Sequence, residues 1–289
     1  MQDLIVLITG ANSGIGKATA IELSSLGAEI VMVCRNEEKA KAAMEEIKAT
    51  THNNKISYFI CDFESQLSIK TCMTEVFSKL PRIDVLINNA GAIFGDRQIT
   101  IDGIEKTIAL NHMGYFLCTH YLLPLLRKSD YKRIINVSSL AHKFVISIDW
   151  NQIMAEKSYG QLYQYGLSKL FNIYFTQILA KMLIKDNITV NCLHPGTVNT
   201  GFGNSSSGFF KKLVDLGRRF LTKPSDGAKT SIFLATDNSV SNVTGTYFSH
   251  SKKAKISKIA QNEAYAQKTW DLSLQWGKIS TYGENNTNS

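Results

Sequence analysis

Tyr165 and Lys169 stand four residues apart in Tyr165-Gly166-Leu167-Ser168-Lys169, at the head of a stretch that reads as a helix running to about Lys185. Side chains four apart on a helix stack on one face, so the phenol and the ammonium are expected to point into the same space. A free tyrosine titrates near about 10, and a cation held close favours the phenolate and lowers that value. Such a phenol can trade a proton with an alcohol or a carbonyl. Taken alone the pair is a weak signal, because both residue types are common and the spacing constrains little.

A second group of residues could hold phosphate. Leu4 to Thr9 reads as a buried strand, followed by Gly10-Ala11-Asn12-Ser13-Gly14-Ile15-Gly16 and a helical segment from Lys17 to Leu26 closed by Gly27. Glycines let the backbone turn tightly and approach a pyrophosphate, which then sits on the free N–H groups and positive end of the helix. The spacing is Gly-x-x-x-Gly-x-Gly rather than Gly-x-Gly-x-x-Gly, and an ordinary turn is the competing reading. The next strand, Glu29 to Cys34, ends in Arg35-Asn36. An acidic residue at that place takes ribose hydroxyls, whereas an arginine accommodates a 2′-phosphate. Arg35 therefore points to NADP(H), with Lys17 adding charge; the alternative is an exposed strand-end cation.

The elements that must position these residues alternate without interruption. Helix Glu37 to about Ala49, strand Ile56 to Cys61, helix Ser65 to Lys79 and strand Ile83 to Asn88 follow in order. A long helix from Gly103 to Arg127 comes next, then strand Tyr131 to Val137, an irregular stretch to Gln164 and the helix carrying Tyr165. Strand Ile188 to Leu193, helix Asp226 to Ala235, strand Thr246 to Ser249 and a helical tail from Ser257 to Trp276 complete the pattern. Strands spaced by helices of this length predict one α/β domain built on a parallel sheet of about seven strands with helices on both faces. Its strand ends would carry ligands: Asp62, which either receives an adenine amino group or caps a helix, Asn88-Asn89-Ala90-Gly91, and Ser138-Ser139. Asn111 sits mid-helix among apolar neighbours and is expected to have specific partners. His194, ending the sixth strand, reads as a catalytic group or as a satisfied histidine.

Composition removes several classes. The 289 residues are 44% apolar, enough for a sizeable core. No stretch of eighteen apolar residues occurs, and the basic start and cleavage site of a signal peptide are missing. Five scattered cysteines and six histidines form no Cys-x-x-Cys or His-x-x-x-His set, which predicts a reduced, cytoplasmic protein without metal. The net charge of +8 suits an anionic ligand but lacks the basic and aromatic interleaving of a nucleic-acid groove.

Together, Thr9-Gly10-x-x-x-Gly14-Ile15-Gly16, Asn88-Asn89-Ala90-Gly91, Asn111, Ser138-Ser139, Tyr165-x-x-x-Lys169 and Pro195-Gly196 resemble the motif set of the short-chain dehydrogenases/reductases, in the family's order and over about Leu4 to Ser249. Gly16-Lys17, Cys34-Arg35-Asn36, Asn136 to His142, His194 to Val198 and Tyr247-Phe248-Ser249 are similar to the retinol dehydrogenase branch. The resemblance implies a Rossmann-type, doubly wound fold and a nicotinamide cofactor held by Gly10, Asn12, Ser13, Gly14, Ile15, Gly16, Arg35, Asn36, Asp62, Phe63, Asn89, Ala90, Gly91, Pro195, Gly196, Val198 and Thr200, together with Tyr165 and Lys169. It makes Tyr165 the general acid and base, with Lys169 lowering its pKa and holding the nicotinamide ribose. Ser139 would bind the substrate oxygen, the second serine of such a pair being the one generally used, and Asn111 would anchor a proton-relaying water. Many NADP-preferring relatives carry a basic residue where this chain has Ser13, which leaves the preference to Arg35 and Lys17.

The expected function is an NADP(H)-dependent oxidoreductase acting on a lipophilic aldehyde, ketone or alcohol of retinoid, steroid or lipid type. A dinucleotide-binding sensor without turnover and a nucleotide-sugar epimerase are the alternatives; the first has no need of the whole Asn, Ser, Tyr and Lys set, and the second usually carries a larger C-terminal domain. Residues 201 to 222 are expected to form a substrate lid. Within it Phe209, Phe210, Leu213, Val214, Leu216, Phe220 and Leu221 recur at helical steps opposite Lys211, Lys212, Asp215, Arg218 and Arg219. Residues 250 to 289 would be a C-terminal extension, disordered from Gly283. With the first strand opening at Leu4, at most peripheral membrane contact is expected, and a homodimer or homotetramer is left open.

Overall fold

The computed structural model describes residues 1–196 and 223–284. The expected lid, with Val198 and Thr200, lies outside them. Eight strands form one sheet in the order β3-β2-β1-β4-β5-β6-β7-β8: β1 Ile5–Thr9, β2 Glu29–Cys34, β3 Ile56–Ile60, β4 Val85–Asn88, β5 Arg133–Val137, β6 Thr189–His194, β7 Tyr247–Ser249 and β8 Lys252–Lys253. All pairings are parallel except β7 with β8.

The central strands are apolar because both faces are covered. In β1, every residue from Ile5 to Thr9 is buried. Val6 and Ile8 face the layer of α1 (Gly14–Ser25) and α2 (Glu37–Thr51). Ile5 and Leu7 face the layer of α3 (Gln66–Lys79), α5 (Gly114–Arg127) and α6 (Gln161–Met182). Between α3 and α5 lies the short α4, Lys106–Ile108. Helix α7 (Pro224–Thr236) packs on α1, and α8 (Glu263–Gly277) on α6. Strand order reverses between β1 and β4, so the crevice beyond their C-terminal ends is where an open sheet of this kind holds ligands.

Several elements differ from the sequence expectations. The eighth strand follows a two-residue loop, His250-Ser251, whose φ angles of 50° and 57° are both left-handed. That is the backbone of a tight hairpin, reached without the Asn-Gly signal that usually marks one. The long helix expected from Gly103 starts at Lys106 and passes through a π-helical turn at Ala109–Met113 before continuing as α5. Helix α6 begins at Gln161, one turn ahead of Tyr165, and gives way to a 3-10 turn at Ile184–Asp186. The tail helix starts at Glu263, capped by Asn262, whose side chain accepts the Tyr265 N–H.

Gly283 corrects the expectation of disorder from that residue on. Its N–H donates to His120 Nδ1 at 2.9 Å and its carbonyl accepts from Arg127 at 3.1 Å. A φ of +76° and the nearness of Leu123 to any added Cβ require glycine there. The adjoining Tyr282 hydroxyl donates to the Phe116 carbonyl at 2.7 Å, in an aromatic cluster with Phe175 and Trp270. Up to residue 284 the C-terminal extension is thus a packed layer against α5 and α6, and residues 285–289 of the expected disordered end lie outside the described residues.

Candidate active site

The glycine turn is shaped by close backbone approach. Gly10 has φ +69°, and a Cβ there would lie 3.0 Å from Ala90 Cα. One at Gly16 would run into the Gly10 carbonyl and lie 2.5 Å from Asn89 Nδ2. Thr9 fixes this approach, its Oγ1 accepting the N–H groups of Asn89 and Ala90 at 2.8 and 2.9 Å, while Asn89 Nδ2 donates to the Thr9 carbonyl at 2.9 Å. Ser13 stands at the N-cap of α1 without a capping side-chain bond, and Gly14 has φ +55°. The helix start therefore offers backbone N–H groups beside a floor of small residues, Gly10, Gly16 and Ala90-Gly91, which fits a dinucleotide phosphate. Asn12 and Ile15 are half-buried in the same turn.

At the outer end, Arg35 follows β2 and is paired with Glu64 at 2.9 Å, while Lys17 is paired with Glu46 at 2.8 Å. Both cations expected to meet a 2′-phosphate thus carry carboxylate partners. Asn36 caps α2 by accepting the Lys39 N–H at 2.8 Å. Asp62 Oδ1 accepts the Glu64 N–H at 3.0 Å, and Ser65, not Asp62, caps α3. Phe63 is buried against Gly114, which leaves only its backbone to a ligand.

The residues expected to react converge from β4, β5, the π turn and α6. Asn111, fully buried, accepts the Ala92 N–H on Oδ1 at 2.8 Å and donates from Nδ2 to the Ala92 carbonyl and Ser168 Oγ at 2.9 and 3.0 Å. Its own carbonyl, turned out of the α ladder by the π turn, accepts Asn172 Nδ2 at 2.9 Å. Asn172 Oδ1 faces His112 Nδ1 at 3.2 Å, and His112 Nε2 meets Ser273 Oγ of α8 at 2.7 Å. Burial brings the His112 pKa down to about 4. Gly91 leaves room for the cluster, since a Cβ there would lie 3.0 Å from Asn111 Oδ1 and 3.3 Å from Lys169 Nζ.

Lys169 is buried and its Nζ donates to the Val137 carbonyl at 3.0 Å, lying 5.8 Å from the centre of the Tyr165 ring. The two serines divide: Ser138 Oγ donates to the Lys169 carbonyl at 2.8 Å, whereas Ser139 shares a hydrogen bond with the Tyr165 phenol. Behind Ser139, His142 accepts the Ser257 N–H on Nε2, so Nδ1 carries the proton and donates to the Ser139 carbonyl at 2.6 Å. His194 Nδ1 accepts the Leu140 N–H at 3.3 Å, and burial, with His250, His142 and Lys143 nearby, lowers its pKa to about 4. It is a satisfied, neutral histidine that holds the loop after β5. Pro195 and Gly196 (φ +87°) follow β6 at the same edge of the sheet.

Burial pushes the Tyr165 phenol up to about 12, opposed by the Ser139 hydrogen bond, and pushes the Lys169 ammonium down to about 7. The direction is opposite to the expected lowering by the lysine: desolvation of the phenolate is the largest cause, opposed by Ser139. Sequence reasoning placed Thr9 in the glycine motif without a role and missed Asn172 and Glu64. Of the two missed, only Asn172 carried a local signal, lying three and four residues after Lys169 and Ser168 on the same helix.

Residues 4–208 match the family described as short chain dehydrogenase. The chain is 38% identical to human retinol dehydrogenase 14 over 94% of its length and 86% of the relative's. It is 39% identical to human retinol dehydrogenase 11, over 93% and 84% respectively. Among solved structures, an uncharacterized protein from Mycobacterium paratuberculosis is similar with a TM-score of 0.78 and 26% identity, over 96% of this chain and 94% of that one. A short chain dehydrogenase from Shigella flexneri complexed with NADP gives a TM-score of 0.69 at 23% identity, over 87% and 98%, a likeness of fold alone.

Proposed function

The chain belongs to the short-chain dehydrogenase family, in its retinol dehydrogenase-like branch, and on that premise we propose that it is an NADP(H)-dependent oxidoreductase of a lipophilic aldehyde, ketone or alcohol. As a family member it is an oxidoreductase acting on CH–OH donors with a nicotinamide dinucleotide. The finer reading rests on one observation: Tyr165, Ser139, Lys169 and Asn111 meet at the strand edge beside Gly91, a few ångströms from the glycine floor.

A bound nicotinamide would supply or accept the hydride, and this chain's residues do the rest. Ser139 positions the substrate oxygen and stabilises charge growing there. Tyr165 gives that oxygen its proton in reduction and removes it in oxidation. With its phenol near about 12, Tyr165 is protonated at neutral pH, a state suited to carbonyl reduction. Lys169, near about 7, is poised to resupply the proton, and the Asn111 carbonyl, oriented by Asn172, is the anchor for a relaying water.

We further read the chain as one domain and as cytoplasmic, the latter from five buried free cysteines. No helix among the described residues is long and apolar enough to cross a membrane. The test is nicotinamide absorbance with retinal, steroid ketones and short aldehydes, each offered with NADPH and with NADH. Faster turnover of the bulky apolar carbonyls with NADPH is expected. Cofactor binding without turnover of any of them would favour the sensor alternative.

A further inference from the structure

Glu64 holds two cations at once. Its Oε1 pairs with Arg35 Nη1 at 2.9 Å and its Oε2 with Lys106 Nζ at 3.1 Å. The partners differ in freedom. Arg35 is 67% exposed, whereas Glu64 and Lys106 are 17% and 20% exposed. Lys106 is held further by Gln98 Oε1 at 3.0 Å and by the face of Phe94, 4.6 Å from the ring centre. The Lys106 side of the bridge is anchored, and the Arg35 side is open to solvent.

We propose that Glu64 and Lys106 set this chain's cofactor preference by partner exchange: Arg35 leaves Glu64 for a 2′-phosphate, and Lys106 keeps Glu64 neutralised once Arg35 has gone. The inference rests on the NADP(H) reading and adds to it two residues that need make no contact with the phosphate. A carboxylate left mostly covered and unpaired is costly, so without Lys106 the guanidinium would stay with Glu64. Without Glu64, Arg35 would have no competing anion, and a dianionic phosphate would take it outright. Lys17 offers a contrast, because its partner Glu46 is 51% exposed and water can replace the cation there.

Calorimetric titration with NADP⁺ and NAD⁺ needs no turnover, and it separates this exchange from direct contact between Lys106 and phosphate. Glu64→Gln is expected to tighten NADP⁺ about fivefold, the scale of one exposed ion pair, with NAD⁺ unchanged. Lys106→Gln should weaken NADP⁺ by about the same factor, and the double variant should return to the level of Glu64→Gln. A Lys106→Gln penalty that persists in the Glu64→Gln background would overturn the exchange, as would a Glu64→Gln variant with unaltered NADP⁺ affinity. Wild type that binds NADP⁺ no better than NAD⁺, with Arg35→Asp altering neither, would instead sink the cofactor reading and the exchange with it.

Discussion

The two ends of the crevice use charge in opposite ways. At the inner end Lys169 is buried, donating to the Val137 carbonyl and lying beside the rings of Tyr115 and Tyr165. At the outer end Arg35 and Lys17 are paired with carboxylates, and Arg35 in particular is open to solvent. Burial therefore dominates inside, moving two pKa values by large steps, while outside the ion pairs are screened and individually weak. An inner change should act on rate and pH dependence, and an outer one on cofactor choice.

Lys169→Met should break the inner end most widely. The turnover number is expected to fall about a hundredfold or more, since resupply of the proton is lost. The sign of its pH effect follows from its lowered pKa. Between about 7 and the ordinary lysine value of 10.5 the unfolded chain holds a proton that the folded one has released, so this group makes stability rise with pH across that window. Thermal melting of wild type against Lys169→Met from pH 7 to 10 should show the rise in the first and its absence in the second. In wild type, carbonyl reduction should decline and alcohol oxidation increase as pH passes about 7.

Asn172→Ala sharpens the comparison by moving an inner atom without touching the reacting groups. The Asn111 carbonyl loses its donor, and kcat is expected to drop about tenfold with cofactor affinity kept. A uniform loss of kcat and binding would show that Asn172 only supports the fold. The smallest effect belongs outside: Arg35→Asp should weaken NADPH about threefold to tenfold relative to NADH while leaving kcat nearly unchanged. An uncontested charge-assisted pairing contributes about 1.5–3 kcal/mol, and competition from Glu64 is the reason for the smaller figure expected here.

Features set by local rules were legible in advance. The alternation of elements, the parallel sheet and the shared face of Tyr165 and Lys169 follow from periods of two and 3.6 residues. The π turn was not, because it needs the partners of Asn111 on other elements: Ala92, Ser168 and Asn172. The Arg35–Glu64 and Lys17–Glu46 pairs each join residues 29 apart, a distance that no helical or strand period encodes. Gly283 looked like a loose polar end, yet His120 and Arg127 tie it down from far along the chain. The direction of the Tyr165 pKa was hidden for the same reason: the lysine neighbour is visible in the sequence, and the desolvation that raises the phenol is a property of the fold.

The central claim, that the half-buried phenol of Tyr165 moves the proton, is tested most directly by Tyr165→Phe, read in two ways on the same sample. NADPH binding, followed by calorimetry, should be close to wild type, because the glycine floor, Arg35 and Lys169 are untouched. Carbonyl reduction, followed at the nicotinamide absorbance under single-turnover conditions, should fall by at least about a hundredfold. Reduction at near the wild-type rate with binding intact would remove Tyr165 from the chemistry and contradict the account.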